Sequence, residues 1–318
     1  MSVWQRPDEV PTDLGHTVVT VGVFDGVHRG HQAVVGRAAT LARELGVPLV
    51  AMTFDPNPLV VVRPEVAPPS LVSVDRRARL LTEAGADHVL VVPFDRARSE
   101  QQPDDFVEEL VVGRLHAKAV VVGTDFRFGH RAAGDVALLQ RMGSRMGPGR
   151  DFVVDVVEPV GDSAAGRWSS TDIRKLVIAG DVAGAAEMLG RRFRVEGVVV
   201  RGHERGRAMG FPTANVPARD GEVVPADGVY AGRLTRLDVD GAEPWAAAVS
   251  VGTNPTFDGE ERVVEAYVLD RDDLDLYGLP VAVDFVARIR GQERFESVDD
   301  LVARMHLDVA ETRAAMGL

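Results

Sequence analysis

The hydrophobic rhythm of this chain changes once along its length, and that change restricts the fold more than any other feature. Through Pro159, short apolar runs alternate with segments of helical period. TVVTVGVF (17–24), PLVAMTF (48–54), HVLVVPF (88–94), AKAVVVG (117–123) and FVVDVV (152–157) read as buried strands. Between them, HQAVVGRAATLAREL, DRRARLLTEAG, PDDFVEELVVGRL and GDVALLQRMG repeat apolar residues at spacings of three and four. The pattern predicts an α/β domain with a mostly parallel, doubly wound sheet. Two short helices, STDIRKLVIAG and DVAGAAEMLG, follow. From Arg191 onward FRVEGVVV, GVYAGRLTRLDV, WAAAVSVG, RVVEAYVLD and PVAVDFVARI are strand-like and separated by Gly, Pro and Asp turns, the mark of a β-barrel or sandwich. The last segment, SVDDLVARMHLDVAETRAAMG, opens on a Ser N-cap and predicts a terminal helix packed on the β domain. The boundary falls near residue 188, giving domains 1–188 and 189–318.

Length agrees with two cores: 318 residues exceed the roughly 250 to 300 at which single cores stop growing. Cysteine is absent, which excludes disulfides and thiolate metal sites and makes a cytoplasmic location the expectation. The N-terminus lacks a signal pattern, and every apolar run stops short of the roughly 20 residues of a membrane span. No membrane partner is therefore expected. The formal charge is −12, divided as −5 (20 basic, 25 acidic) before residue 189 and −7 (16 basic, 23 acidic) after it. Neither half has the basic bias that a nucleic-acid partner requires.

One segment, GVFDGVHRGHQ (22–32), joins the first strand to the first helix. Gly22, Gly26 and Gly30 let the backbone turn sharply and approach a ligand, and the helix start offers free N–H groups and a positive dipole end. Phe24 and Asp25 lie within this turn and, with the three glycines, are expected to contact the ATP phosphates. His28 and His31, three apart, share a face and can donate hydrogen bonds to a phosphate whose charge develops during transfer. The bland alternative is a plain loop with two surface histidines. Ligands in open α/β sheets bind beyond the carboxyl ends of the strands, so TFDPNPLVV (53–61) and GTDFRFGHRAAGD (123–135) should converge there. Phe54, Phe126 and Phe128 either line a pocket for a flat ring or belong to the core. Asp125 and Arg127 read as substrate contacts. In RWSSTDIRK (167–175), Ser170 either caps a helix or joins Arg174 in a phosphate clamp.

GVFDGVHRGHQ resembles the HxGH signature of nucleotidyltransferases. With TFDPNP, GTDFRFG and RWSSTDIR in this order, the first half is similar to the FMN adenylyltransferase module of bacterial bifunctional riboflavin kinase/FAD synthetases. MGFPTANV (209–216), DGVYAG (227–232), VSVGTNPTF (249–257), VEAYVLDRDDLDLYG (264–278) and the RFES turn (294–297) resemble the riboflavin kinase module. The resemblance covers nearly the whole chain. It implies a Rossmann-like nucleotidyltransferase domain followed by a β-barrel kinase domain, with riboflavin, FMN, FAD, ATP, ADP and pyrophosphate as partners and Mg²⁺ as cofactor. A monomer or weak homo-oligomer is expected. The family usually reads Pro-His-Pro where this chain has Asn57. The amide of Asn57 either replaces a phosphate donor or leaves the adenylyltransferase weakened or lost, so a riboflavin kinase alone is the second reading. A flavin-sensing protein without turnover and a cytidylyltransferase are further alternatives, the latter leaving the second domain unexplained.

A kinase must hold ATP with its metal, position an alcohol and neutralise the moving phosphoryl group. Thr213 and Asn215 in GFPTAN present oxygens on one side of a strand; by itself this is a turn as readily as a metal site, and the resemblance implies Mg²⁺ ligands. Gly202, Arg205, Arg207, Gly210 and Pro212 form a basic, flexible segment for nucleotide phosphates. Glu265 is the candidate base for the riboflavin hydroxyl, against a solvent-facing strand residue. Asn254, Arg290 and Phe295 are expected near the flavin. Asp270, Asp272, Asp273 and Asp275 read as a solvated turn.

Overall fold

A computed structural model describes residues 2–159, 161–162, 166–202, 209–256 and 259–318. Contacts divide the chain into two units, Met1–Ser170 and Thr171–Leu318.

The first unit is a six-stranded sheet of β1 (Ser2–Trp4), β2 (Thr17–Val21), β3 (Leu49–Asp55), β4 (His88–Pro93), β5 (Ala117–Gly123) and β6 (Val153–Val157). Their order is β1-β4-β3-β2-β5-β6, and every pairing is parallel. Helices α1 (Arg29–Leu45), α2 (Val74–Glu83), α3 (Pro103–Phe106) and α4 (Val136–Arg145) cross between strands. Burial on both faces explains why the central strands are runs of Val, Ala and Leu rather than alternating sequences. Polar caps set the helix starts: Ser73 accepts from the Arg76 N–H at 3.2 Å and Asp135 from the Leu138 N–H at 2.8 Å. α3 departs from the expected single α-helix. It continues as a π-helix over Val107–Arg114, where a Cβ on Gly113 would lie 2.7 Å from the Glu108 carbonyl oxygen. Only glycine lets that wider turn close. The chain returns from β4 to the opposite side of β2, so the strand order switches direction between β2 and β5. Crevices for ligands form at such switch points.

In the second unit, α5 (Ser170–Ala179) begins at its boundary and α6 (Val182–Leu189) leads into β7 (Arg194–Val198), β8 (Thr213–Pro217), β9 (Gly228–Arg236), β10 (Trp245–Thr256), β11 (Gly259–Val268) and β12 (Pro280–Arg290). The order is β7-β12-β9-β10-β11-β8, all antiparallel, and a bridge between Val200 and Asn215 joins the two ends. The sheet is thus a nearly closed barrel. Helix α7 (Val298–Met316) is capped as expected, with the Ser297 Oγ accepting from the Asp300 N–H at 3.1 Å and Gly317 left-handed at its end. Asp308 on α7, 5% exposed, takes both Nε and Nη2 of Arg290 from β12 at 2.8 and 2.7 Å.

Candidate active sites

In the first unit the loop after β2 is held in an unusual backbone. Phe24, Gly26 and Val27 have φ of 50°, 79° and 39°. A β-branched residue rarely adopts this region, and such strain concentrates where a backbone must approach a ligand. Three ties fix the loop: the Thr53 hydroxyl donates to the Val23 carbonyl at 3.0 Å, the Ser170 hydroxyl donates to the Asp25 carbonyl at 2.8 Å, and the Leu71 N–H donates to both Asp25 carboxylate oxygens at 2.9 and 3.1 Å. His28 is the N-cap of α1, its Nδ1 accepting from the His31 N–H at 3.4 Å. The two imidazoles stack with centroids 3.7 Å apart, and Phe24 meets His31 edge-on at 5.3 Å. Gly30 makes room for this arrangement, since a Cβ there would lie 3.0 Å from the His28 Cε1. At Gly22 a Cβ would lie 3.0 Å from the Phe24 ring.

A cavity of about 960 Å³ opens at this point, lined by residues that follow β2, β3, β4, β5 and β6. Gly22, Phe24, His28, Gly30, His31, Asp125, Arg127 and Ser170 all face it. Phe54 and Phe126 are partly buried in its wall, and Phe128 is both a wall residue and core, so the two readings of these rings are one. Five arginines, Arg63, Arg96, Arg98, Arg127 and Arg131, line it against three carboxylates, Glu100, Asp125 and Glu158. Arg96 pairs with Glu100 and Arg98 with Glu109, both at 2.8 Å; among the described residues no carboxylate lies within 4.0 Å of Arg127 or Arg131. The cavity is therefore locally positive in an acidic chain.

Some of the expected residues do not line this cavity. Asp25 is 2% exposed and does not line the cavity; its carboxylate accepts the Leu71 N–H and so ties the loop to that backbone. Gly26 also stays behind the loop. Asn57 caps the short helix Pro58–Val62, its Oδ1 accepting from the Leu59 N–H at 3.1 Å, and it does not line the cavity, though Pro58 and Leu59 do. Arg174 belongs to the second unit, buried in α5. Arg77 was not singled out from the sequence. Its Nη1 donates to the Thr53 hydroxyl at 3.2 Å and the Phe54 carbonyl at 2.8 Å. Burial pushes the guanidinium below its ordinary range, and the Asp25 and Asp55 carboxylates oppose that shift.

The second unit builds its site across the barrel strands. Register aligns Asn215 of β8 with Glu265 of β11, Glu265 with Ser250 of β10, Ser250 with Val229 of β9, and Val229 with Arg290 of β12. All five face one cavity of about 580 Å³. Leu301, Met305 and Val309 of α7, at helical spacing, form an apolar wall with Phe211 and Phe295. A smaller hollow of about 70 Å³ is lined by Gly202, Pro212, Asp272 and Tyr277. Thr213 and Asn215 line both spaces, so they stand between them. The Asn215 Nδ2 donates to the Thr213 Oγ1 at 3.3 Å, and a Cβ on Gly202 would lie 2.4 Å from the Asn215 Oδ1. Glycine at 202 is what leaves the amide oxygen its space.

Arg290 lines the larger cavity, and its guanidinium is engaged: beyond Asp308, its Nη1 donates to the Gly291 carbonyl at 3.0 Å, and it lies 5.8 Å over the Phe295 ring. The Asp308 hydrogen bonds raise its pKa further. Gly210 has a φ of 85°. The Asn254 backbone pairs with Glu261 in the sheet, while its side chain, together with Arg205 and Arg207, lies outside the described residues. In the acidic turn, Arg271 pairs with Asp273 at 2.6 Å. Ser250 and Asp227 also face the larger cavity, and only strand register brings them there.

Residues 10–172 match the family model described as FAD synthetase, and residues 189–316 the one described as riboflavin kinase. A bifunctional riboflavin kinase/FMN adenylyltransferase of Escherichia coli (strain K12) is 38% identical over 301 residues, covering 95% of this chain and 93% of the relative. One of Pseudomonas fluorescens is 37% identical, covering 93% and 92%. A crystal structure described as a macrolide-efflux protein from Streptococcus pneumoniae has a TM-score of 0.84 at 31% identity and covers 98% of each chain. With a parallel α/β unit ahead of a barrel, in the order of the two matched models, the chain belongs to the bifunctional riboflavin kinase/FMN adenylyltransferase family.

Proposed function

We propose that this chain phosphorylates riboflavin to FMN with ATP in its barrel and then joins FMN to the adenylyl group of a second ATP in its α/β unit, releasing pyrophosphate as FAD forms. Both family domains are present, and the relatives are named for both activities. The observation that carries the residue assignment is the pair of cavities, the first lined by His28, His31 and Arg127 and the second by Thr213, Asn215 and Glu265. The kinase-only reading is not favoured: Asn57 stands off the first cavity, and His28, His31 and Ser170 line it without help from that position.

In the α/β unit, an FMN phosphate oxygen attacks the α-phosphorus of ATP and the bond to pyrophosphate breaks. His28 accepts at Nδ1, so in the neutral ring Nε2 carries the proton and can donate to the transferring phosphate. His31, stacked on it, supplies a second donor. The strained loop and the start of α1 present backbone N–H groups to the same anion, and Arg127 adds unpaired positive charge. Asp125 and the phenylalanine wall position the substrate.

In the barrel, Glu265 takes the proton of the ribityl hydroxyl as its oxygen attacks the γ-phosphorus and ADP leaves. Thr213 Oγ1 and Asn215 Oδ1 are neutral, hard oxygens between the two spaces, a donor set that fits Mg²⁺ bound together with phosphate oxygens and water. Bound there, Mg²⁺ would neutralise charge on the phosphates. Gly202, Gly210 and Pro212 shape the nucleotide side, with Arg207 and Asn254 as further contacts.

The functional modules are taken as 1–188 and 189–318. We take the enzyme to be cytoplasmic and monomeric or weakly associating; among the described residues no helix is long and apolar enough to cross a membrane. The test is a time course of FMN and FAD from riboflavin and excess ATP. His28→Ala should abolish FAD formation and leave FMN formation intact; Glu265→Ala should stop FMN formation while FAD still forms from supplied FMN. Loss of both activities from either substitution in a folded protein would refute the two-site assignment.

A further inference from the structure

The floor of the barrel cavity is shaped by alternate residues of β10, namely Ala248, Ser250 and Gly252. All three are small, which hollows the groove between the larger side chains of β11 and α7. Ser250 alone among them is polar. It sits directly opposite Glu265 on one side and Val229 on the other, so the row across the sheet reads Asn215, Glu265, Ser250, Val229. Paired residues on one face hold their Cβ atoms about 4.5–5.5 Å apart. The Ser250 hydroxyl is therefore one strand away from the carboxylate, on the side opposite Asn215. It is half-buried, and among the described residues it makes no hydrogen bond. A hydroxyl partly withdrawn from water and facing a substrate groove gains most when the substrate supplies its partner.

We propose that Ser250 is a specificity-determining residue of the kinase site, its hydroxyl hydrogen-bonding a ribityl hydroxyl other than the one phosphorylated. The inference rests on the reading of riboflavin as substrate and Glu265 as base. The ribityl chain carries several similar alcohols on a flexible stem, and a lone carboxylate can accept a proton from any of them. Selecting the terminal alcohol requires a second contact that fixes the stem in register. The nucleotide-facing pair Thr213 and Asn215 lies at one end of the row and the apolar wall of α7 at the other side of the cavity. A flavin with its ring on that wall and its terminal oxygen at Glu265 lays the polyol across Ser250. Strand spacing of about 4.8 Å is shorter than an extended ribityl chain, so both contacts can be made at once.

The experiment compares wild type, Ser250→Ala and Ser250→Thr on riboflavin and on its 2′-, 3′- and 4′-deoxy analogues, reading kcat/KM for phosphorylation. Thermal melting and FAD formation from FMN monitor folding. The wild type should lose about tenfold on one analogue, the scale of one hydrogen bond. Ser250→Ala should lose about tenfold on riboflavin and nothing further on that analogue, while Ser250→Thr, which keeps the hydroxyl, should retain the wild-type preference. Equal wild-type kcat/KM on all three analogues would overturn the proposal without recourse to a variant. So would a Ser250→Ala loss that is the same on every substrate. If wild-type protein fails to phosphorylate riboflavin at all, the reading of the substrate fails, and the inference falls with it.

Discussion

Replacing Gly30 with alanine separates catalysis from stability at the adenylyltransferase site. The new Cβ would lie 3.0 Å from the His28 Cε1 and 3.1 Å from its Nδ1, whereas ordinary contact begins at 3.4 Å. The imidazole must therefore retreat by about 0.4 Å, while it is already stacked at 3.7 Å on His31 and holding the first turn of α1. Stability should hardly change. Alanine in place of glycine favours a helix by about 0.5–1 kcal/mol, and weakening the N-cap costs about the same. The chemical step is more sensitive. A misplacement of about 1 Å costs on the order of a hundredfold, and loss of one donor to a developing anion about a hundredfold or more, so the smaller shift predicts a tenfold to hundredfold fall in kcat. The assay is FAD formation from FMN and ATP by chromatography, with FMN formation from riboflavin as internal control and a melting curve beside it. Unchanged FAD formation in Gly30→Ala would refute the view that His28 ring placement matters. Parallel loss of both activities would indicate damage to the fold instead.

Gly202→Ala should impair only the kinase, because its Cβ would fall 2.4 Å from the Asn215 Oδ1 and force that amide out of place; the readout is a raised Mg²⁺ requirement for FMN formation at constant FAD formation from FMN. Arg77→Met should destabilise the first unit by about 3 kcal/mol, since Thr53 and Phe54 lose a donor and Asp25 loses its buried counter-charge. Urea inactivation of the FAD-forming step measures this, and adding Asp25→Asn should recover part of the loss.

How far the sequence could be read varied with the range of the interaction. The strands of the parallel sheet are legible because burial on both faces makes them continuous apolar runs, and the loop from Gly22 to His31 is legible because its glycines and histidines lie within ten residues of one another. The N-terminal strand β1, three residues long, offers no periodicity. The π-helical turn at Val107–Arg114 has the same apolar spacing as an α-helix over two turns, and only the approach of Gly113 to the Glu108 carbonyl distinguishes it. Asp25 shows the limit of local reading: the motif places it beside the phosphates, but nothing in the motif reveals that its carboxylate receives a backbone N–H from forty-six residues away.

Sequence alone determined the two architectures, their order, the family resemblance and the candidate residues at the strand ends, because these depend on local propensity and on contiguous motifs. Tertiary structure decided which side chains share a cavity. Strand register set Ser250 beside Glu265, and convergence of the ends of β3, β4 and β5 brought Arg63, Arg96, Arg98, Arg127 and Arg131 around one space. Pairings between distant segments leave no pattern in the intervening sequence. A net charge of −12 belongs to the whole chain, while the field at a site follows from the few groups that the fold assembles there.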